Sequence, residues 1–305
     1  MVGRTHGPIQ NPESKIQRRM ILRAEAPAKI NRELRVGSRR PDGFHEIWSR
    51  FCAIDFSDRL EVEDSDALEL SCSGIPVPEG DSNLVIRAAR ALAGYMGIVP
   101  RARMRLEKRV PSGAGLGGGS SDAAMALLLL SRLWSGSAAP LPREELLPIA
   151  ASVGSDVPFF LFGGEADVTG RGERVTPRED APPTEVVLLL PPFAIETARV
   201  YAAYDRLTGG AGSLPGRLEI ETSSTFLGPN DLASAVLQTH SEMVEYWNSA
   251  RQAASESGIT GSGSALVLRG VTSEGERDLG QRHPEATIRR VRTLGRADYE
   301  RKTSS

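Results

Sequence analysis

Between residues 111 and 122 the chain reads PSGAGLGGGSSD, and five of the seven residues from 113 to 119 are glycine. Glycine accepts positive φ and lets neighbouring N–H groups converge on one point without a Cβ in the way, which is what holding an anion requires. The apolar pattern that follows, 120–134, has helical spacing, so the positive end of a helix dipole falls on the same spot. A tight turn uses one or two glycines. Five exceed that, and the segment reads as a phosphate cradle.

Several kinds of phosphate loop are excluded by what surrounds it. Gly113, Gly115 and Gly118 satisfy GxGxxG, but a dinucleotide fold also needs a second parallel strand ending in an acidic residue about 20 positions on. Here a helix and then SGSAAPLP occupy that stretch. No Lys-Ser/Thr follows the glycines, so this is not a Walker-type loop, and the VAIK, HRD and DFG motifs of protein kinases are missing. The four histidines (His6, His45, His240, His283) and two cysteines (Cys52, Cys72) have no spacing suited to a triad, a zinc site or a disulfide framework.

The segment resembles the phosphate loop of the GHMP kinases, Pro-x-x-x-Gly-Leu-Gly-Ser-Ser-Ala. KRVPSGAGLGGGSSDAA is similar to the form found in the branch that phosphorylates a cytidine-diphosphate-linked methylerythritol. PAKIN (27–31), RPDGFHE (40–46), DSNL (81–84), GSDVPFF (154–160) and GITGSG (258–263) agree in the same order, so the likeness spans about residues 22–270. The resemblance implies ATP and Mg²⁺ as cofactors and transfer of phosphoryl to the 2-hydroxyl of that polyol. It implies Lys29 and Asp156 as the catalytic pair, Asp156 taking the hydroxyl proton. ATP and its phosphates would meet Asn83, Lys108, Pro111, Gly113, Gly115, Leu116, Gly117, Gly118, Gly119, Ser120 and Ser121, with Ser121 the candidate metal ligand. The cytidyl substrate would meet Asn31, Phe44, His45, Tyr201, Thr260, Gly261, Ser262 and Gly263, the aromatics by stacking and His45 by hydrogen bonding. The same residues have plainer readings: Asp156 as a turn aspartate, Lys29 as a solvated strand residue, a serine as helix N-cap, Phe44–His45 as packing.

Two departures from the family pattern stand out. Arg32 and Glu33 follow PAKIN where the family has apolar residues, so Arg32 needs a partner or an exit to solvent. Phe44 stands where the family has Tyr, keeping the stacking face without the hydroxyl. Three other functions stay open at this point: a superfamily kinase for a substrate without a nucleotide handle, an inactive binding protein of the same fold, and, on GxGxxG alone, a nicotinamide oxidoreductase.

These residues need a scaffold to position them. Apolar alternation predicts strands over 21–36, 47–54, 59–63, 67–72, 102–110, 186–190 and 265–268. Helical spacing predicts helices over 83–96 (capped by Asp81 or Ser82), 120–134, 144–153, from about 197, 230–238 and 241–257, with a Gly/Ser-rich loop at 209–216. Mixed elements in each half imply an α+β fold of two domains. The resemblance makes them a ribosomal-S5-like nucleotide-binding domain and a ferredoxin-like α/β sandwich. The charged, Pro-rich 178–184 is the boundary, giving 20–180 and 181–298, with disordered tails at 1–19 and 299–305. The 305 residues carry 37 basic and 39 acidic side chains, a net charge of −2, which supplies no field for gripping nucleic acid. The longest apolar runs fall far short of the ~20 residues of a membrane span. No nucleic acid, no membrane, a cytoplasmic location and a monomer or weak homodimer are therefore expected.

Overall fold

The computed structural model describes residues 20–210, 212 and 225–304. The expected tail 1–19 and most of the 209–216 loop lie outside them.

The chain begins with two 19-residue strands, β1 (Ile21–Arg39) and β2 (His45–Glu63), paired antiparallel. The strands expected at 47–54 and 59–63 are one continuous β2. β3 (Leu68–Gly74), β4 (Ala102–Lys108), β5 (Glu165–Gly170) and β6 (Arg174–Pro177) complete a first sheet ordered β3-β4-β2-β5-β6, with β1 on β2. Helices α1 (Leu84–Met96), α2 (Gly118–Ser135) and α3 (Arg143–Val153) cover one face of it. Asn83, not Asp81 or Ser82, caps α1, its Oδ1 accepting from Val85 N–H.

A second sheet runs β10 (Thr287–Arg292), β7 (Glu185–Leu190), β9 (Leu266–Arg269), β8 (Glu256–Ile259). The helices α4 (Thr197–Thr208), α5 (Ala233–Thr239), α6 (Met243–Ala253) and α7 (Ser273–Arg282) belong to this half. The helix expected over 241–257 ends early, because residues from Glu256 on pair with β9 instead.

The period-2 alternation of β7 explains the layering. Val186, Leu188 and Leu190 pack with Ala28, Ile30, Cys52 and Ile54 of the first sheet, whereas Val187 and Leu189 pack with the second half's helices. The two sheets thus share a core, and the middle of β1 is buried on both faces. The tail expected from Tyr299 on is instead part of α8 (Arg296–Thr303). Tyr299 is 2% exposed, and its hydroxyl donates to Phe160 O across 2.7 Å, so one aromatic pins a polar helix to the first half's core. The chain therefore crosses the expected boundary at 180/181 a second time.

Candidate active site

A cleft of about 850 Å³ opens between the halves, lined by both. The glycine-rich segment forms its wall. Helix α2 starts at Gly118, two residues earlier than expected, with Gly117 (φ +69°) as its N-cap. The serines therefore stand inside the first turn instead of capping it. Ser120 lines the cleft, while Ser121 is fully buried, is not among the lining residues, and its Oγ has no hydrogen-bond partner.

The loop's conformation depends on glycine most plainly at Gly115 (φ +76°), where an added Cβ would lie 2.1 Å from Thr260 O. Its carbonyls are tied into the scaffold. Gly113 O accepts from Ile195 N–H (3.0 Å), Ala114 O from Ala265 N–H (3.1 Å) and Leu116 O from Lys29 N–H (2.9 Å).

Beneath the loop lies a buried cluster. Lys108, 2% exposed, donates to Asp122 Oδ2 (2.9 Å) and to Asp58 Oδ2. Asp58 Oδ1 accepts from the N–H groups of Arg109 and Val110. Burial opposes the charge of Lys108, yet Asp122 and Asp58 together raise its pKa. Burial likewise drives the Asp122 carboxyl above its usual range, with Lys108 opposing. Lys108 was expected to meet phosphate. Lys108 lines the cleft, and its ammonium is also held by two carboxylates that lock the start of α2 to β4 and β2.

Across the loop, Lys29 is 3% exposed and donates to Asn31 Oδ1 (2.6 Å) and Gly115 O (2.9 Å), with Asp156 Oδ2 at 3.5 Å. Burial pulls its pKa below the ordinary 10.5, and Asp156 acts in the opposite direction. Asp156 sits just before the short 3₁₀ turn Val157–Leu161, its side chain 30% exposed to the cleft. The arrangement juxtaposes a carboxylate open to a ligand with a buried cation, the pairing needed to take a hydroxyl proton beside developing negative charge. Asn31 was expected to orient substrate. It lines the cleft, and its amide bonds to Lys29, Thr260 and, through Nδ2, Ser49 Oγ (2.8 Å), which also steadies Lys29.

Asn83, Pro111, Gly113, Gly115, Leu116, Gly117, Gly118, Gly119, Phe44, His45, Tyr201, Gly261 and Ser262 all line the cleft. The Asn83 amide is engaged with Val85 N–H and Pro78 O. Thr260 and Gly263 lie behind the wall, Thr260 fully buried with its Oγ1 accepting from Asn31 N–H at 2.8 Å. Phe44, 48% exposed, is covered by the Arg171 guanidinium 5.0 Å from its ring centre. Arg171 and Asp205 line the cleft although sequence reasoning did not single them out. Arg171 comes from the turn joining β5 to β6, and Asp205 is one acid in an amphipathic helix, so neither carries a local signal. Arg32 finds its partner in Glu165, 2.8 Å away, and stacks over Phe226 at 4.5 Å.

No group of three or more His, Cys, Asp or Glu suited to a metal occurs among the described residues. A Mg²⁺ ion commonly takes only one or two protein oxygens, with phosphates and water completing its shell. Ser120, which lines the cleft at the start of α2, carries a hydroxyl that fits an ion arriving with a nucleotide.

A two-sheet α+β frame whose glycine loop lies across the seam is the architecture of the GHMP kinases. Residues 83–164 match the family model "GHMP kinases N terminal domain". Solved structures of a mevalonate kinase (TM-score 0.60, 13% identity, covering 90% of this chain and 99% of that one) and of a homoserine kinase from Cytophaga hutchinsonii (0.62, 18%, 90% and 95%) share the fold. A crystal structure of 4-(cytidine 5'-diphospho)-2C-methyl-D-erythritol kinase superimposes with a TM-score of 0.71 at 33% identity, covering 90% of this chain and all of that one. The 4-diphosphocytidyl-2-C-methyl-D-erythritol kinase of Salinispora arenicola is 38% identical over 293 residues, 89% of this chain and 91% of that protein. Its counterpart from Solibacter usitatus is 40% identical over 253 residues, 79% and 78% of the two chains. The chain belongs to the 4-diphosphocytidyl-2-C-methyl-D-erythritol kinase family of GHMP kinases.

Proposed function

We propose that the protein transfers the γ-phosphoryl group of ATP to the 2-hydroxyl of 4-diphosphocytidyl-2-C-methyl-D-erythritol, with Asp156 as general base and Lys29 as its partner. The observation that carries this reading is the Lys29–Asp156 pair at 3.5 Å in the cleft walled by the glycine loop. Asp156 accepts the hydroxyl proton, the freed oxygen bonds to the γ-phosphorus, and the bond to the β-phosphate oxygen breaks to release ADP. Lys29, charged and held by Asn31 and Gly115, keeps the carboxylate ionised and balances charge on the migrating group. Loop N–H groups and the start of α2 hold the polyphosphate. Mg²⁺, when bound, would neutralise that polyphosphate, with Ser120 the protein hydroxyl at hand. Phe44, His45 and Tyr201 take the cytosine end.

A cytoplasmic location belongs to this reading; among the described residues no helix is long and apolar enough to cross a membrane. A monomer or weak homodimer is the assembly state expected of the protein. ADP release with and without the cytidyl substrate tests the activity. Asp156→Asn should lower kcat by about 10²–10⁴-fold with ATP still bound. Near-normal turnover in that variant removes Asp156 from its role. Turnover of mevalonate or homoserine with none of the cytidyl substrate overturns the substrate assignment.

A further inference from the structure

Three side chains of α4 converge on His45, a cleft residue only 7% exposed. Asp205 Oδ1 lies 2.7 Å from His45 Nε2. One helical turn earlier, Tyr201 stacks on the imidazole with ring centres 5.0 Å apart and planes inclined by 29°. Tyr204 meets the ring edge-on at 6.2 Å, and its hydroxyl donates to Val36 O at 2.9 Å, which anchors α4 against β1. The imidazole is therefore fixed in position, in tilt and at one of its two nitrogens.

A carboxylate has only acceptors, so at 2.7 Å the hydrogen must sit on Nε2. In a neutral imidazole the bond made by one nitrogen sets the state of the other, and Nδ1 is left as a bare acceptor. Among the described residues, no hydrogen bond to Nδ1 is formed. A group placed against it must donate.

We propose that Asp205 is a positioning residue that fixes His45 as the Nε2–H tautomer, so that Nδ1 accepts from the 4-amino group of cytosine and rejects uracil. The inference rests on the proposed cytidyl substrate and adds the element that selects its base. At ring position 4 cytosine presents a donor and uracil an acceptor. Uracil would set two lone pairs face to face in a buried site, leaving both without a partner. A carboxamide at 205 offers both a donor and an acceptor, so it no longer dictates the tautomer.

The experiment compares wild type, Asp205→Asn and Asp205→Ala by ADP release with the cytidyl substrate and with its uridine counterpart. Nitrogen NMR of the histidine rings accompanies it, with the His45 signals identified by their loss in His45→Gln. Wild type should show an unprotonated Nδ1 on His45 and favour cytidine over uridine by on the order of 10²-fold. In both variants that ratio should fall at least about tenfold, through KM for the cytidyl substrate, with KM for ATP where it was. A protonated Nδ1 in wild type, or an unchanged ratio in either folded variant, overturns the proposal. Wild type that turns over neither substrate refutes the functional reading instead, and the ring-nitrogen signals still decide the tautomer.

Discussion

Replacing Lys108 with methionine removes the cation between two carboxylates that are 0% and 1% exposed, Asp58 and Asp122. The lysine is what opposes the burial that drives the Asp122 carboxyl up; without it that acid is left with no cation in a buried site. Breaking a buried ion pair from one side costs about 3–5 kcal/mol, a large share of the roughly 5–15 kcal/mol that holds a protein folded. At about 2 °C per kcal/mol, Tm should drop by roughly 6–10 °C. The two acids suffer unequally. Asp58 keeps the N–H groups of Arg109 and Val110, whereas Asp122 loses its partner on Oδ2 and already has none on Oδ1. Adding Asp122→Asn, which removes the stranded charge at constant shape, should therefore restore at least half of the loss. Urea unfolding of the single and double variants, with KM for ATP measured on each, makes the test. KM for ATP should rise in the single variant, because the ends of the loop loosen, and recover in the double. A loss of stability below about 1 kcal/mol with a raised KM that Asp122→Asn does not repair would mean that Lys108 touches phosphate directly, and the reasoning would be refuted.

The lowered pKa of Lys29 predicts an alkaline limb in kcat/KM with its midpoint below 10.5, since loss of the ammonium proton removes the charge that steadies Asp156. A limb at or above that value, or one unchanged in the residual activity of Lys29→Met, would contradict it. Gly115→Ala forces an L-residue to φ +76° and puts a methyl 2.1 Å from Thr260 O. It should cost about 1–2 kcal/mol in backbone strain alone and raise KM for ATP at least tenfold, and an unaltered Tm and KM would show that the loop is slack.

The glycine loop and the strand that carries Lys29 were legible because each rests on short-range chemistry: φ freedom, alternation, a helix start. What stayed hidden depends on residues far apart in sequence. The carboxylate that shares Lys108 with Asp122 is Asp58, 50 positions away, and no local pattern joins the two. Arg32 breaks the apolar run of β1, and only the β2–β5 pairing reveals Glu165 as its answer. The partner of His45 lies 160 residues on, the one acid of α4, and nothing local ties it to a histidine at the start of β2. The last helix was missed because its polar sequence has a single apolar anchor, Tyr299, and one buried ring is no periodicity.

The three carbonyl bonds of the glycine loop carry a consequence for the whole chain. Their donors, Lys29, Ile195 and Ala265, come from three places in the sequence, one in the first half and two in the second. The loop is thus a keystone as well as a cradle, its shape set by bonds to both halves of the chain. Severing the chain at 178–184 would not yield two autonomous folding units. Each piece would lose strands or side chains that complete the other's core, α8 among them, and both halves should melt as one cooperative body.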